Sequence, residues 1–148
     1  MTSAYFTNFG FEGYALTEFH CTHLYLGEIQ PATVGQITAT IKNFLQTREA
    51  VGFKVCFDRP ETLNGRSVLS TELNYFPDQY SELFAQLTRL ENSKHSFHPH
   101  VTLRTHDRRG GFTGVINRYV FVEKKGRQIL PIYTKLFNLK SEQASCLT

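Results

Sequence analysis

Cysteine is scarce in this chain: Cys21, Cys56 and Cys146 are three among 148 residues, odd in number and with no pair at CxxC spacing. Such a set argues against the disulfide framework of small secreted domains and against a thiolate zinc centre, and it fits a reducing cytosol. Long apolar runs are lacking as well. None nears the roughly 20 residues a bilayer crossing takes, and residues 1–6 offer no basic region followed by an apolar stretch, so a soluble, unexported, cytoplasmic protein with no membrane partner is expected. The terminal Ser145-Cys146-Leu147-Thr148 puts its cysteine one place too late for prenylation. Charge of one sign is not in large excess: 16 Lys and Arg against 13 Asp and Glu leave +3, too little for a duplex DNA surface but compatible with a small polyanion. No Pro, Gly or Ser-rich linker divides the chain, and 41% hydrophobic content suits one core. A single domain over residues 1–148 is expected, with its core in 10–140, an N-terminal lid over 1–9 and a polar tail over 141–148.

What the chain does contain alternates between strand-like and helix-like patterning. Residues 6–14 carry Phe6, Phe9, Phe11 and Tyr14 among Gly10 and Gly13 and read as an aromatic loop, either a lid or a patch on the core edge. Residues 19–26 read as a strand ending at Gly27, with His20, Thr22, Leu24 and Leu26 on one face and Cys21, His23 and Tyr25 on the other. Pro31 opens a helix whose apolar stripe is Val34, Ile37, Ile41, Phe44 and Leu45. A strand over 52–58, a loop over 60–65 and a strand over 67–73 follow. A second helix begins after Asp78 with Tyr80, Leu83, Phe84, Leu87 and Leu90 as its buried face. The strand bearing His100 and Thr102 starts near Pro99, and two more strands run over 114–123 and 128–139. This order gives an α+β architecture.

Within it one triplet recurs. His20-Cys21-Thr22 and His100-Val101-Thr102 stand 80 positions apart (100 minus 20), each in a strand-like run, so each His shares a face with its Thr. Histidine is the side chain whose ordinary pKa lies near neutrality, so two imidazoles facing one scissile bond can divide the work of base and acid. Two threonine hydroxyls can donate to the nonbridging oxygens of a phosphate ester, where negative charge develops.

The residues around the triplets, Phe19-His20-Cys21-Thr22-His23-Leu24-Tyr25-Leu26-Gly27 and Phe97-His98-Pro99-His100-Val101-Thr102-Leu103, resemble the paired His-x-Thr/Ser motifs of the 2H phosphoesterases, the superfamily of LigT-like RNA ligases and cyclic phosphodiesterases. The segment Tyr133-Thr134-Lys135-Leu136-Phe137-Asn138-Leu139 is similar to that family's closing strands. The resemblance implies a two-lobed, pseudo-symmetric fold in which two antiparallel sheets form a central cleft, with helices outside and one triplet from each lobe. It implies His20 and His100 as the acid–base pair and Thr22 and Thr102 as phosphate holders, with no metal and no cofactor. Implied substrates are small nucleotides or short oligonucleotides: 2′,3′-cyclic phosphates, 2′-5′ linkages such as 2-5A, and the cyclic dinucleotides degraded by phage anti-CBASS nucleases.

Further substrate contacts are expected from Arg104, which continues the His100 face, and from Tyr25 and Tyr133 as rings on which bases stack. Arg108 and Arg109 follow closely and suit a solvated loop or, alternatively, phosphate steering. Two rival readings remain. His98 and His100, with His95 and His106 nearby, form a spacing that chelates zinc when a third ligand arrives. Alternatively the cleft binds and sequesters a nucleotide without turning it over.

Overall fold

Strand β1, Ser3–Phe11, is the first departure from expectation, for the segment read as an aromatic loop, a lid or a patch on the core edge, is an inner strand of the larger sheet whose rings do reach the core. Phe9 and Phe11 turn into the principal core, while Phe6 joins a second apolar cluster. Both faces of β1 are therefore buried, so the alternation that marks a half-exposed strand is missing. The computed structural model describes residues 3–91, 96–102 and 111–138.

The larger sheet has five antiparallel strands. Its order is β2 (His20–Gly27), β1, β7 (Phe112–Lys125) and β3 (Phe53–Phe57), and β8 (Gln128–Leu136) also pairs with β7. The length of β7 permits this: β3 pairs with its residues 112–116 and β8 with 118–125, one after the other along the edge away from β1. Gly126 has φ +63° in the two-residue turn joining β7 to β8, the left-handed conformation that tight hairpins require. The smaller sheet is β4 (Arg59–Leu63), β5 (Arg66–Ser70) and β6 (His100–Thr102). Residues 60–63, expected as loop, pair with 66–69. Pro60 is tolerated because β4 is an edge, and Asn64 and Gly65, with φ of 51° and 77°, make the turn.

Helix α1, Pro31–Gln46, starts on its proline and buries Ile37, Ile41, Phe44 and Leu45, the expected stripe. Helix α2, Gln79–Glu91, buries Tyr80, Leu83, Phe84 and Leu87, while Leu90 is exposed. These side chains pack with Phe9, Leu24, Tyr119 and Phe121 of the large sheet and with Leu69 and Val101 of the small one in a single cluster. Each contributes roughly 1.5–3 kcal/mol by leaving water. The core thus joins both helices and both sheets, and the faces opposite it are left to form the site. Cys21 is free and buried.

Candidate active site

His20 and Thr22 lie on the face of β2 turned away from the principal core, and a bulge decides what accompanies them. Asn8 pairs with Thr22 but Thr7 pairs with Leu24, so His23 is an extra residue in β2. Such an insertion shifts the alternation by one place. Leu24 and Leu26 therefore enter the core instead of sharing the His20 face. Tyr25 moves the other way, opposite Phe6, and stacks on it with ring centroids 6.4 Å apart. The Phe6 ring also lies 6.2 Å from that of His20. Tyr25 is 53% exposed, so an open ring stands beside the histidine. The extra residue, His23, is 2% exposed and structural: its Nε2–H donates to the Tyr80 carbonyl at 2.8 Å and its Nδ1 accepts from the Tyr119 hydroxyl at 2.6 Å. Burial pushes its pKa down to about 4.

His20 sits in a polar frame. Its Nδ1 lies 2.7 Å from the Leu16 carbonyl oxygen, an atom that only accepts, so Nδ1 carries a proton and Nε2 is the nitrogen left for chemistry. Its pKa is lowered below 6.5 chiefly by burial, which the Leu16 carbonyl opposes and the charges of Lys124 and His100 reinforce. That influence ties the two triplets together across the sheets. β6 runs beside β2, and the backbone N–H of His100 is directed at the Cys21 sulfur.

His100 repeats the arrangement. Its Nδ1 lies 2.8 Å from the His98 carbonyl oxygen, so its Nε2 is the open nitrogen. Thr102 ends β6 and is exposed. Neighbouring β5 and β4 bring Ser70 and Glu61, whose side chains hydrogen-bond to each other. The Glu61 carboxylate also meets His98 Nε2 at 2.8 Å.

His20, Thr22 and Tyr25 thus share one face, and His100 and Thr102 approach from the other sheet. Tyr133 does not join them: it pairs with Phe121 and packs on the principal core, on the opposite face of the large sheet. Arg104 lies outside the described residues, as do His95, His106, Arg108 and Arg109. Among the described residues no group of three or more His, Cys, Asp or Glu could hold a metal ion, and His98 is engaged with Glu61. Sequence reading did not single out Asn8, Lys124 and Glu61, and it named Phe6 only among the N-terminal rings. An asparagine inside an aromatic strand was the one signal that could have pointed to the first.

No protein-family model and no curated protein sequence matches the chain. Solved structures do. E. coli LigT in its apo form is 14% identical with a TM-score of 0.63, over 92% of this chain and 98% of LigT. A structure described as a phosphoesterase is 14% identical with a TM-score of 0.64, over 92% and 99%. LigT with 3′-AMP is 14% identical with a TM-score of 0.62, over 93% and 99%. Two antiparallel sheets, each bearing one His-x-Thr strand, with helices packed on the larger, give this chain the fold of E. coli LigT.

Proposed function

We propose that the chain is a phosphodiesterase acting on a ribose-linked phosphodiester, with His20 and His100 as its acid–base pair and Thr22 and Thr102 holding the phosphate. The observation that carries this reading is that two adjacent strands from different sheets each present a histidine with Nδ1 tied to a main-chain carbonyl and Nε2 open. Burial favours neutral His20, which makes it the starting base.

On a 3′-5′ or 2′-5′ linkage, His20 Nε2 takes the proton of the neighbouring ribose hydroxyl. That oxygen attacks phosphorus, the P–O5′ bond breaks, and the 5′ oxygen leaves with the proton of His100 Nε2. A 2′,3′-cyclic phosphate results, with His20 protonated and His100 neutral. Hydrolysis reverses the roles: His100 takes a proton from water, the water oxygen attacks phosphorus, and His20 protonates the departing ribose oxygen. Two imidazoles suffice, so the scheme requires no metal and no cofactor.

Tyr25 and Lys124 near His20 supply a ring and a cation, a surface suited to a nucleotide or short oligonucleotide. That E. coli LigT has been crystallised with 3′-AMP, NADP+ and ATP supports a nucleotide in this fold. The substrates we put forward are 2′,3′-cyclic phosphates, 2′-5′ oligoadenylates and cyclic dinucleotides. Acting on the last two, the chain would remove nucleotide immune signals in the cytoplasm. The test is incubation of the purified chain with all three classes, read by mass spectrometry, alongside His20→Ala and His100→Ala. Product from the parent chain and none from the folded variants is expected. A fully active double variant overturns the reading, and a substrate that is retained but unchanged replaces it with sequestration.

A further inference from the structure

Asn8 is a polar residue with 1% of its surface exposed, in an inner strand between Thr22 of β2 and Val120 of β7. A buried amide needs a hydrogen-bond partner, and the partner here is Thr22, whose Oγ1 donates to Asn8 Oδ1 at 3.2 Å. The contact limits Thr22. A threonine hydroxyl has one proton, and a proton given to Asn8 is not available to a phosphate oxygen.

The amide removes the limit by turning. Its oxygen and nitrogen occupy nearly equal volumes, so a half-turn about χ2 places Nδ2 where Oδ1 was. Nδ2–H then donates to a lone pair of Thr22 Oγ1, and the threonine proton is free to point into the cleft. Among the described residues Nδ2 has no other hydrogen-bond partner, so the turn breaks nothing else. We propose that Asn8 is a positioning residue for the phosphate-holding Thr22: its amide fixes the hydroxyl and, by turning, directs the hydroxyl proton to the phosphate. This rests on the phosphate-holding role given to Thr22 above.

The experiment is a double-mutant cycle with Asn8→Leu and Thr22→Val, measured on whichever panel substrate is turned over, with thermal unfolding as the check on folding. Thr22→Val should lower kcat about 100-fold, the loss typical of one donor to a developing oxyanion. Asn8→Leu should lower kcat about 10-fold in the parent, with KM little changed, and by less than about 2-fold in Thr22→Val, since positions acting through one another are not additive. A purely structural Asn8 would lower kcat by the same factor in both backgrounds, and that result overturns the proposal. Should Asn8→Leu fail to fold, the isosteric Asn8→Asp replaces it. Once ionised at raised pH, its carboxylate can only accept, so it keeps the threonine proton and repels the phosphate, and full turnover in that ionised variant also overturns the proposal. Unimpaired Thr22→Val with impaired Asn8→Leu sinks the role of Thr22 itself, whereas impaired Thr22→Val with unimpaired Asn8→Leu sinks only the role of Asn8.

Discussion

His20 places its Nδ1 2.7 Å from the carbonyl oxygen of Leu16, four residues earlier in the chain. The contact holds the ring in one tautomer and leaves Nε2 as the reactive nitrogen. Because the same carbonyl stabilises the protonated ring, it works against the burial that depresses the pKa, and burial is the larger effect. The free protein therefore holds His20 neutral below the pH at which an ordinary histidine gains its proton.

Activity should follow. A base must be neutral to act, so the acid limb of kcat/KM should fall below pH 6.5, the ordinary histidine value. The Lys124 charge lowers the pKa, so Lys124→Gln raises it and moves the limb to higher pH. High salt should erase the difference between the two proteins by screening. A limb at the same pH in both proteins at low salt would remove Lys124 from the site.

The loop that carries Leu16 is held by Arg118, whose guanidinium donates to the Phe11 carbonyl at 3.0 Å and the Tyr14 carbonyl at 2.7 Å. Its side chain crosses Gly10, where a Cβ would stand 2.6 Å from the guanidinium carbon. Gly10→Ala should therefore displace Arg118 and act like Arg118→Met. Each variant should lose about 1–2 kcal/mol of stability through unpaired carbonyls, together with turnover. Because they break the same contacts, the double variant should be little worse than either alone, by denaturant unfolding and by kcat. Additive losses would separate Gly10 from the loop.

How much of this was legible in the sequence depends on whether the decisive force was local. Helices α1 and α2 and the two His-x-Thr strands follow from apolar period and from Pro31, so they could be read directly. β1 could not, because its glycine looks like a loop signal and is there to let Arg118 pass. The bulge at His23 is set by a long-range demand, the hydrogen bonds of that ring to Tyr80 and Tyr119, and strict alternation therefore put Tyr25 on the wrong face. Tyr133 fails for a related reason: nothing local says which face of β8 meets the helices. The Asn64-Gly65 turn was legible, since that dipeptide is a strong hairpin signal, yet Pro60 drew the segment into a loop.

His98 supplies a separate test because it serves His100 through its main chain. The Nδ1 of His100 donates to the His98 carbonyl oxygen, an atom that every residue possesses. His98→Ala should therefore keep His100 oriented and leave kcat within about 3-fold of the parent, the lost Glu61 contact being a partly exposed ion pair of small worth. A zinc site built on His98 and His100 predicts the opposite, with activity and bound metal lost together. Metal analysis beside the kinetic assay separates them.

His23 should make the fold sensitive to acid. Its pKa is pushed down to about 4 in the folded chain, against an ordinary 6.5, because the ring is buried, an effect that the Tyr80 carbonyl accepting from Nε2–H only partly opposes. Below pH 6.5 the unfolded chain binds a proton there that the folded chain does not, so stability falls as pH drops from about 6.5 to about 4, by roughly 3 kcal/mol for this group. His20, whose pKa is also depressed, adds to the loss with the same sign. His23→Gln removes the larger contribution, because glutamine stays neutral throughout. The variant is expected to be less stable at pH 7, where the ring's hydrogen bonds to Tyr80 and Tyr119 are lost or weakened, yet to lose much less on going to pH 4.5. Urea unfolding midpoints of both proteins at the two pH values decide it, and an equal drop in both would assign the acid sensitivity to other groups.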